Sequence, residues 1–275
     1  MLPTENYLQI NRDAWNQRTE LHLKSDFYGL EAFLKGKSSL NDIEMGLLGD
    51  VSGQSILHLQ CHFGQDSLSL ARLGAQVTGV DLSDQAIAHA QRLASDLQID
   101  ARFICCDVYE LPQQLNKQFD VVFTSYGTIG WLPDLDRWAQ IINQFLRPGG
   151  KLVFVEFHPV VWMFSNDFKS IAYRYFKSEP IVETETGSYA ATAAPVELTS
   201  VTWNHGLGEV MGSLLRQQLE ITHFEELDYS PYNCFQGTEA IAPGKFRIAH
   251  LGGKIPMVYA ICAVKKSNHR TSLSD

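Results

Sequence analysis

Apolar residues recur along this chain in two rhythms. Continuous apolar runs at about 55–60, 76–81, 101–106, 119–125 and 151–156 are bounded by turn residues and read as buried strands, whereas helical spacing marks about 66–73, 84–97 and 134–146. In the second helical stretch Ile87, Ala90, Leu93, Ala94 and Leu97 fall on one face, and Ser83 stands where an N-cap belongs. Strands alternating with helices need crossover connections, so these runs predict a doubly wound α/β fold around a parallel sheet. Leu207, Val210, Met211, Leu214, Leu215 and Leu219 mark a later helix in the same way. It leads into a sixth apolar stretch, Ile221 to Tyr229, and Met257 to Val264 supplies a seventh with no helical pattern between them. Strands joined without a crossover pair antiparallel or lie apart.

Two segments stand outside this alternation. Residues 1–50 predict an N-terminal helical arm, with Tyr7, Ile10 and Trp15 at helical intervals, Thr4 as a candidate cap, and a second short helix from Asn41 to Leu48. Residues 157–206 are too long for an ordinary connection and are rich in aromatic side chains, among them Trp162, Phe164, Tyr173 and Tyr189. Alternation at Ile181 to Thr186 suggests extra strands there, and the insertion serves as a substrate cover, a dimer contact or both. The expected organisation is one domain over 1–275 carrying both additions.

The junction between the first two runs carries the chemistry. His58-Leu59-Gln60-Cys61-His62-Phe63-Gly64 reads as strand, tight turn and helix start, and Val80-Asp81 ends the next strand on an acid. In an open parallel sheet the carboxyl ends of the strands form the ligand crevice, where Asp81 can accept both hydroxyls of a ribose. As an alternative it would only cap the following helix, but Ser83 already offers that cap. A dinucleotide site requires glycines through this turn so that backbone can approach a pyrophosphate, yet Gln60 and His62 stand there and only Gly64 remains. A nicotinamide oxidoreductase is therefore disfavoured. A cofactor without phosphates, with adenosine at one end and an amino acid at the other, suits the turn better, and S-adenosylmethionine has that form.

In these blocks the chain resembles the class I S-adenosylmethionine-dependent methyltransferases over most of residues 50–156. Phe103 to Val108 looks like the family's third strand, Phe119 to Tyr126 its fourth, and Leu146-Arg147-Pro148-Gly149-Gly150 the turn before its fifth. The HLQCHFG-like first motif and Trp131-Leu132-Pro133-Asp134-Leu135 resemble one subgroup of that family. The resemblance implies seven strands, mostly parallel, with an antiparallel last strand. It places the methionine end of S-adenosylmethionine at Gln60, Cys61, His62 and Gly64, the ribose at Asp81 and Leu82, the adenine at Asp107 and Val108, and the methyl group beside Ser125 and Tyr126. It also implies an arm folded over the cofactor, with Trp15 and Tyr28 as lid residues, and Trp131 shaping the acceptor pocket. Each has a plainer reading: Asp107 caps the turn before Leu111, and the aromatics pack as core. The departures lie in the first motif, where His58 replaces the family's usual acid and Gln60 and His62 its glycines.

Composition narrows the partners. A formal net charge of −9 with no basic run argues against nucleic acid as substrate. No apolar run approaches the roughly 20 residues of a spanning helix, and Met1 to Ile10 lacks the pattern of a secretion signal. Five cysteines, an odd number at unpatterned spacing, suit a reducing cytoplasm. His58, Cys61 and His62 lie close in sequence but without zinc-ligand spacing, so no metal is expected. Methyl transfer to a small-molecule acceptor needs chiefly alignment. Where the acceptor must lose a proton, His158 after the fifth strand and His205 are the candidate bases, each with a structural role as its alternative. A homodimer is one further expectation, and a catalytically inactive nucleoside-binding protein on the same fold is the competing function.

Overall fold

The computed structural model describes residues 6–267, so Thr4 lies outside the described residues. The chain opens with helices α1 (Tyr7–Leu23), α2 (Leu30–Leu34) and α3 (Asp42–Leu48). Then β1 (Ser55–Leu59), α4 (Gln65–Arg72), β2 (Gln76–Asp81), α5 (Asp84–Asp96), β3 (Ala101–Cys105), α6 (Leu111–Gln114), β4 (Phe119–Ser125), α7 (Leu135–Phe145) and β5 (Leu146–Phe157) follow. Strands and helices stand where the apolar rhythm puts them. The one large boundary difference is β5, which extends backwards through the Pro-Gly-Gly turn.

Seven strands form one sheet in the order β3-β2-β1-β4-β5-β11-β8, with β8 at Leu219–Leu227 and β11 at Val258–Lys265. The first five are parallel, and β11 runs antiparallel to both of its neighbours. The last strand thus slots between β5 and β8. Helix α8 (Leu207–Arg216) precedes β8, and a small hairpin, β9 (Thr238–Ala242) with β10 (Lys245–Ile248), occupies the β8–β11 connection that sequence periodicity leaves blank. Residues 157–206 contain a second hairpin, β6 (Ile181–Thr186) with β7 (Glu197–Thr202), as the alternation at 181–186 suggests.

Both faces of the sheet are covered. On one, Leu57, Val122, Phe154 and Tyr259 pack against Trp138 and Ile142 of α7 and Val210 of α8. On the other, Ile56, Val121, Phe123 and Val153 meet Leu48 of α3 and Leu70 of α4. These strands are buried on both sides, which is why they read as continuous apolar runs without alternation. Lys151 fastens α3 to the sheet: its Nζ donates to the carbonyls of Leu47 and Leu48 at 2.8 and 2.9 Å, the end of a helix where a cation is favoured.

The arm does not hang free. Asn11 of α1 exchanges hydrogen bonds with Val201 of β7 at 2.8 and 2.9 Å, while Asn16 accepts from Ser83 Oγ at 2.7 Å and donates to Asp84 at 2.8 Å. Helix α1 therefore bridges from the α5 N-terminus to the inserted hairpin, across the carboxyl ends of β1 and β2.

Phe154 is fully buried between Trp138 and Tyr259, with ring centroids at 5.3 and 5.6 Å. Phe154→Ala is expected to cost about 3–5 kcal/mol of stability through the cavity it leaves, read as a lowered urea midpoint with an unchanged slope.

Candidate active site

The strand order reverses between β1 and β4, and a cavity of about 1160 Å3 opens at that switch point over the carboxyl ends of the parallel strands. Every residue expected at the cofactor lines it: Gln60, Cys61, His62, Gly64, Asp81, Leu82, Asp107, Val108, Ser125 and Tyr126. Trp15, Tyr28 and Trp131 line it too. His158 and His205 do not.

The bend after β1 keeps the backbone of a glycine turn without the glycines. Gln60 and His62 adopt left-handed φ values of 54° and 50°, a conformation that costs a non-glycine residue of order 1–3 kcal/mol. Gly64 survives for a different reason: a Cβ there would lie 2.8 Å from Ala90 and 2.9 Å from the Phe103 ring, so α4 could not approach the sheet. The glycine needed for helix–strand packing is retained, and the two that face the ligand are replaced.

Asp81 holds this bend to the next one. Its Oδ2 accepts from the His62 backbone N–H at 2.8 Å and its Oδ1 from that of Ser83 at 2.9 Å. Burial lifts the carboxyl to about 6, against the pull of the backbone donors. Ser83 itself caps α5, accepting from Ala86 N at 3.0 Å, so Asp81 is not consumed as the helix cap. Each carboxylate oxygen retains acceptor capacity toward the cavity. Asp107 does cap the turn that follows it, accepting from Tyr109 N at 3.1 Å, and still lines the cavity.

Sequence reasoning missed Glu156. Its carboxylate, fully buried near the end of β5, accepts from the backbone N–H groups of Gly127, Thr128, Ile129 and Phe157 and from the Thr128 hydroxyl. It thereby shapes the loop after β4, whose Thr128 carbonyl accepts from Gln60 Nε2 at 2.8 Å and whose Gly127 carbonyl accepts from Trp131 Nε1 at 2.7 Å. An acid in the otherwise apolar run 152–157 was the signal.

The arm contributes residues that periodicity alone presents as core. Arg18 is 5% exposed, its guanidinium 5.4 Å from the rings of both Trp15 and Trp131, and it forms no ion pair among the described residues. His22 Nδ1 meets His62 Nε2 at 2.9 Å, and its other nitrogen meets Ser188 Oγ at 3.2 Å. Tyr28 and Tyr189 share a hydroxyl hydrogen bond of 2.5 Å. Burial, aided by Arg18, drives His22 down to about 3, so both imidazoles are neutral and one donates to the other. Arg18 Nη1, Gln60 Oε1 and His62 Nδ1 are buried with no partner among the described residues.

The two expected bases are placed elsewhere, which corrects their assignment. His158 Nδ1 accepts from Val160 N at 3.1 Å and its Nε2 lies 2.8 Å from Glu226 of β8. His205 Nε2 meets the Leu132 carbonyl at 2.8 Å and its Nδ1 lies 3.1 Å from Glu209. Both rings are buried, each with one nitrogen hydrogen-bonded to backbone and the other beside a carboxylate without a hydrogen bond to it, the structural alternative for each. His58 bonds Ser67 Oγ at 2.8 Å, and among the described residues no group of His, Cys, Asp and Glu could hold a metal ion.

With this geometry in place, similarity to known proteins is informative. Residues 56–150 match the family described as a methyltransferase domain. A ubiquinone biosynthesis O-methyltransferase of Coxiella burnetii is 29% identical over 160 residues, which are 57% of this chain and 64% of that protein. The chain thus spans less than two thirds of the length of that curated relative. An S-adenosylmethionine-dependent methyltransferase from Mesorhizobium loti superposes with a TM-score of 0.54 at 20% identity, over 84% of this chain and 99% of that one. Geranyl diphosphate C-methyltransferase from Streptomyces coelicolor, solved with S-adenosyl-L-homocysteine, gives 0.53 at 15% identity over 80% and 73%. Residues 56–150 thus match a methyltransferase domain, and the fold is shared with solved S-adenosylmethionine-dependent methyltransferases.

Burial pushes His58 down to about 3, far below the 6.5 of an unfolded histidine. The folded state keeps it neutral, so its contribution is intact above 6.5 and is lost as pH falls from there toward 3, at about 1.4 kcal/mol per pH unit. The buried carboxylates pull the other way, so the readout is a difference between proteins. Urea midpoints at pH 7 and pH 5 should show His58→Gln losing less stability on acidification than the parent chain.

Proposed function

We propose that the chain is an enzyme that transfers the methyl group of S-adenosylmethionine to a small-molecule acceptor. The observation that carries this reading is the set of orphaned polar atoms at the bend. Arg18 Nη1 is a donor suited to a carboxylate, Gln60 Oε1 an acceptor suited to an ammonium, and His62 Nδ1 serves either. Together they complement an α-amino acid, the part of this cofactor that a nucleotide lacks. The residues present therefore fit the group.

When bound, the cofactor supplies an electrophilic methyl on a sulfonium. The chain's residues then have separable tasks. Asp81 accepts from the ribose hydroxyls, with its orientation fixed by His62 N–H and Ser83 N–H. Cys61, Gly64 and Leu82 line the turn walls around it, and Asp107 and Val108 lie where an adenine edge would rest. Ser125 and Tyr126, at the end of β4, border the reacting centre on the loop that Glu156 holds. Because the leaving thioether is neutral, holding acceptor, methyl and sulfur in line supplies much of the rate. The lid of α1 and residues 187–192 excludes water from the site.

The acceptor's class as a small molecule is supported by the concave cavity, whose lining carries Asp66, Asp81, Asp107 and Glu156. No helix of the described residues is long and apolar enough to cross a membrane, and all five cysteines are free thiols, which suits action in a reducing cytoplasm. A homodimer remains part of this proposal through the exposed aromatic residues of the insertion, such as Trp162 and Phe176.

Calorimetric titration with S-adenosylhomocysteine tests the reading. Saturable binding is expected, and Asp81→Ala should weaken it about 10–100-fold, the worth of hydrogen bonds to a charged group. Arg18→Met should weaken S-adenosylhomocysteine but leave 5′-methylthioadenosine, which lacks the amino acid, unaffected. No binding by the parent chain would overturn the assignment. Binding without turnover of methyl-labelled cofactor over an acceptor panel would favour the inactive nucleoside binder.

A further inference from the structure

The part of the cavity away from the bend has a different character. Phe27, Tyr126, Phe157, Trp162, Tyr232 and Phe235 wall it, each within 5.8 Å of another ring in the set. Such a wall receives a planar ring by offset or edge-on stacking. One member is held in an unfavourable backbone: Tyr126 sits at φ 48°, directly after β4. Of the six non-glycine residues with positive φ among the described residues, Gln60, His62, Tyr126 and Phe168 line this cavity, while Gln98 and Gln218 follow helix ends. Strain gathered at a cavity is strain retained for what its side chains do there.

Tyr126 is tied to an acid that the sequence hides. Its hydroxyl donates to Glu44 Oε2 at 2.8 Å. Glu44 belongs to the capping box of α3, and its Oε1 accepts from Asn41 N at 2.6 Å and Asn41 Nδ2 at 3.0 Å. A capping glutamate ordinarily sits in water, but this one has no exposed surface. Asn41 Nδ2 also donates to the Tyr232 hydroxyl at 2.8 Å, so Tyr126 reaches the carboxylate directly and Tyr232 is linked to it only through Asn41. Asp66, held by Ser39 Oγ at 2.6 Å, is the other acid bearing on Glu44, and among the described residues no cation pairs with either. Having donated its proton to Glu44, the Tyr126 oxygen can still accept a hydrogen bond from a ligand.

We propose that Tyr126 and Glu44 form a proton relay that deprotonates a phenolic hydroxyl seated against this aromatic wall, which makes the acceptor a phenol. The inference rests on the methyl-transfer reading and deepens it. The acceptor O–H proton passes to Tyr126 Oη as the proton of Tyr126 passes to Glu44 Oε2. The freed oxygen pair forms the O–CH3 bond, and the C–S bond breaks with its electrons kept by sulfur. One positive charge on sulfur and one negative charge on Glu44 disappear together, so the step leaves no buried charge behind. A phenol is the more acidic of the two neutral hydroxyl acceptors, so it gives up its proton to the relay more readily than an aliphatic alcohol, and its ring is what the aromatic wall receives. Burial raises the Glu44 carboxyl to about 7, which makes it a better base than a solvated carboxylate.

Labelled methyl transfer to phenol and to 4-nitrophenol, which is already ionised at mildly alkaline pH, tests the relay in the full chain. Glu44→Gln is expected to lower kcat for phenol by about 10²–10⁴-fold with little change in KM, and to affect 4-nitrophenol far less. Tyr126→Phe should give the same split and serves if Glu44→Gln fails to fold. In parallel, calorimetry of 4-nitrophenolate binding to protein saturated with S-adenosylhomocysteine, run in buffers of different ionisation enthalpy, should show proton uptake by the parent chain and none by Glu44→Gln. A purely structural Glu44 would slow both acceptors alike and leave the proton count unchanged, which overturns the relay. No transfer to either phenol overturns the acceptor class, while undiminished S-adenosylhomocysteine binding would leave the methyltransferase reading standing.

Discussion

One carboxylate fixes the geometry on which the rest depends. Asp81 takes a backbone N–H from the turn after β1 and another from the cap of α5, so two crossover connections that share no covalent neighbour are locked at one distance. That clamp acts with the Cys61 N–H donating to the Val80 carbonyl and Gln60 Nε2 to the Thr128 carbonyl in holding the left-handed Gln60 and His62. The clamp therefore stores the strain of the bend and points what remains of the carboxylate at the cavity. Glu156 does the equivalent for the loop after β4, and Gln60 joins the two halves through Thr128.

The half of the cavity around Asp81 was legible in the sequence because its parts are local. A strand end, a turn and an acid at the next strand end are set by pleat and by crossover length, and the chain places Asp81, Asp107 and Gly64 accordingly. The other half depends on residues brought from far along the chain. Arg18 and His22 stand on a helix whose packing direction was open, and Glu44 looked like an ordinary cap residue. His158 and His205 were plausible by position alone. What decided against them was partners the sequence does not announce: Glu226 on β8, two strands away through β11, and Glu209 on α8.

The altered first motif also reads differently once the backbone is known. Gln60 and His62 stand where the resembling family carries glycines, yet both keep a left-handed backbone, and their side chains are additions to it, a donor–acceptor amide and an imidazole placed where glycines offer only backbone. The first motif has thus exchanged conformational ease for functional groups. His58 shows the complementary change beneath it: an acid position becomes a neutral imidazole bonded to Ser67, so the floor under the bend carries no charge.

The unmatched guanidinium of Arg18 has a consequence outside catalysis. A desolvated cation with no counter-ion makes the empty protein the weaker of its two forms, and any ligand that brings a carboxylate to it raises the unfolding free energy by mass action. A carboxylate ligand at that site would thus slow opening and proteolytic cleavage of the chain in proportion to its free concentration.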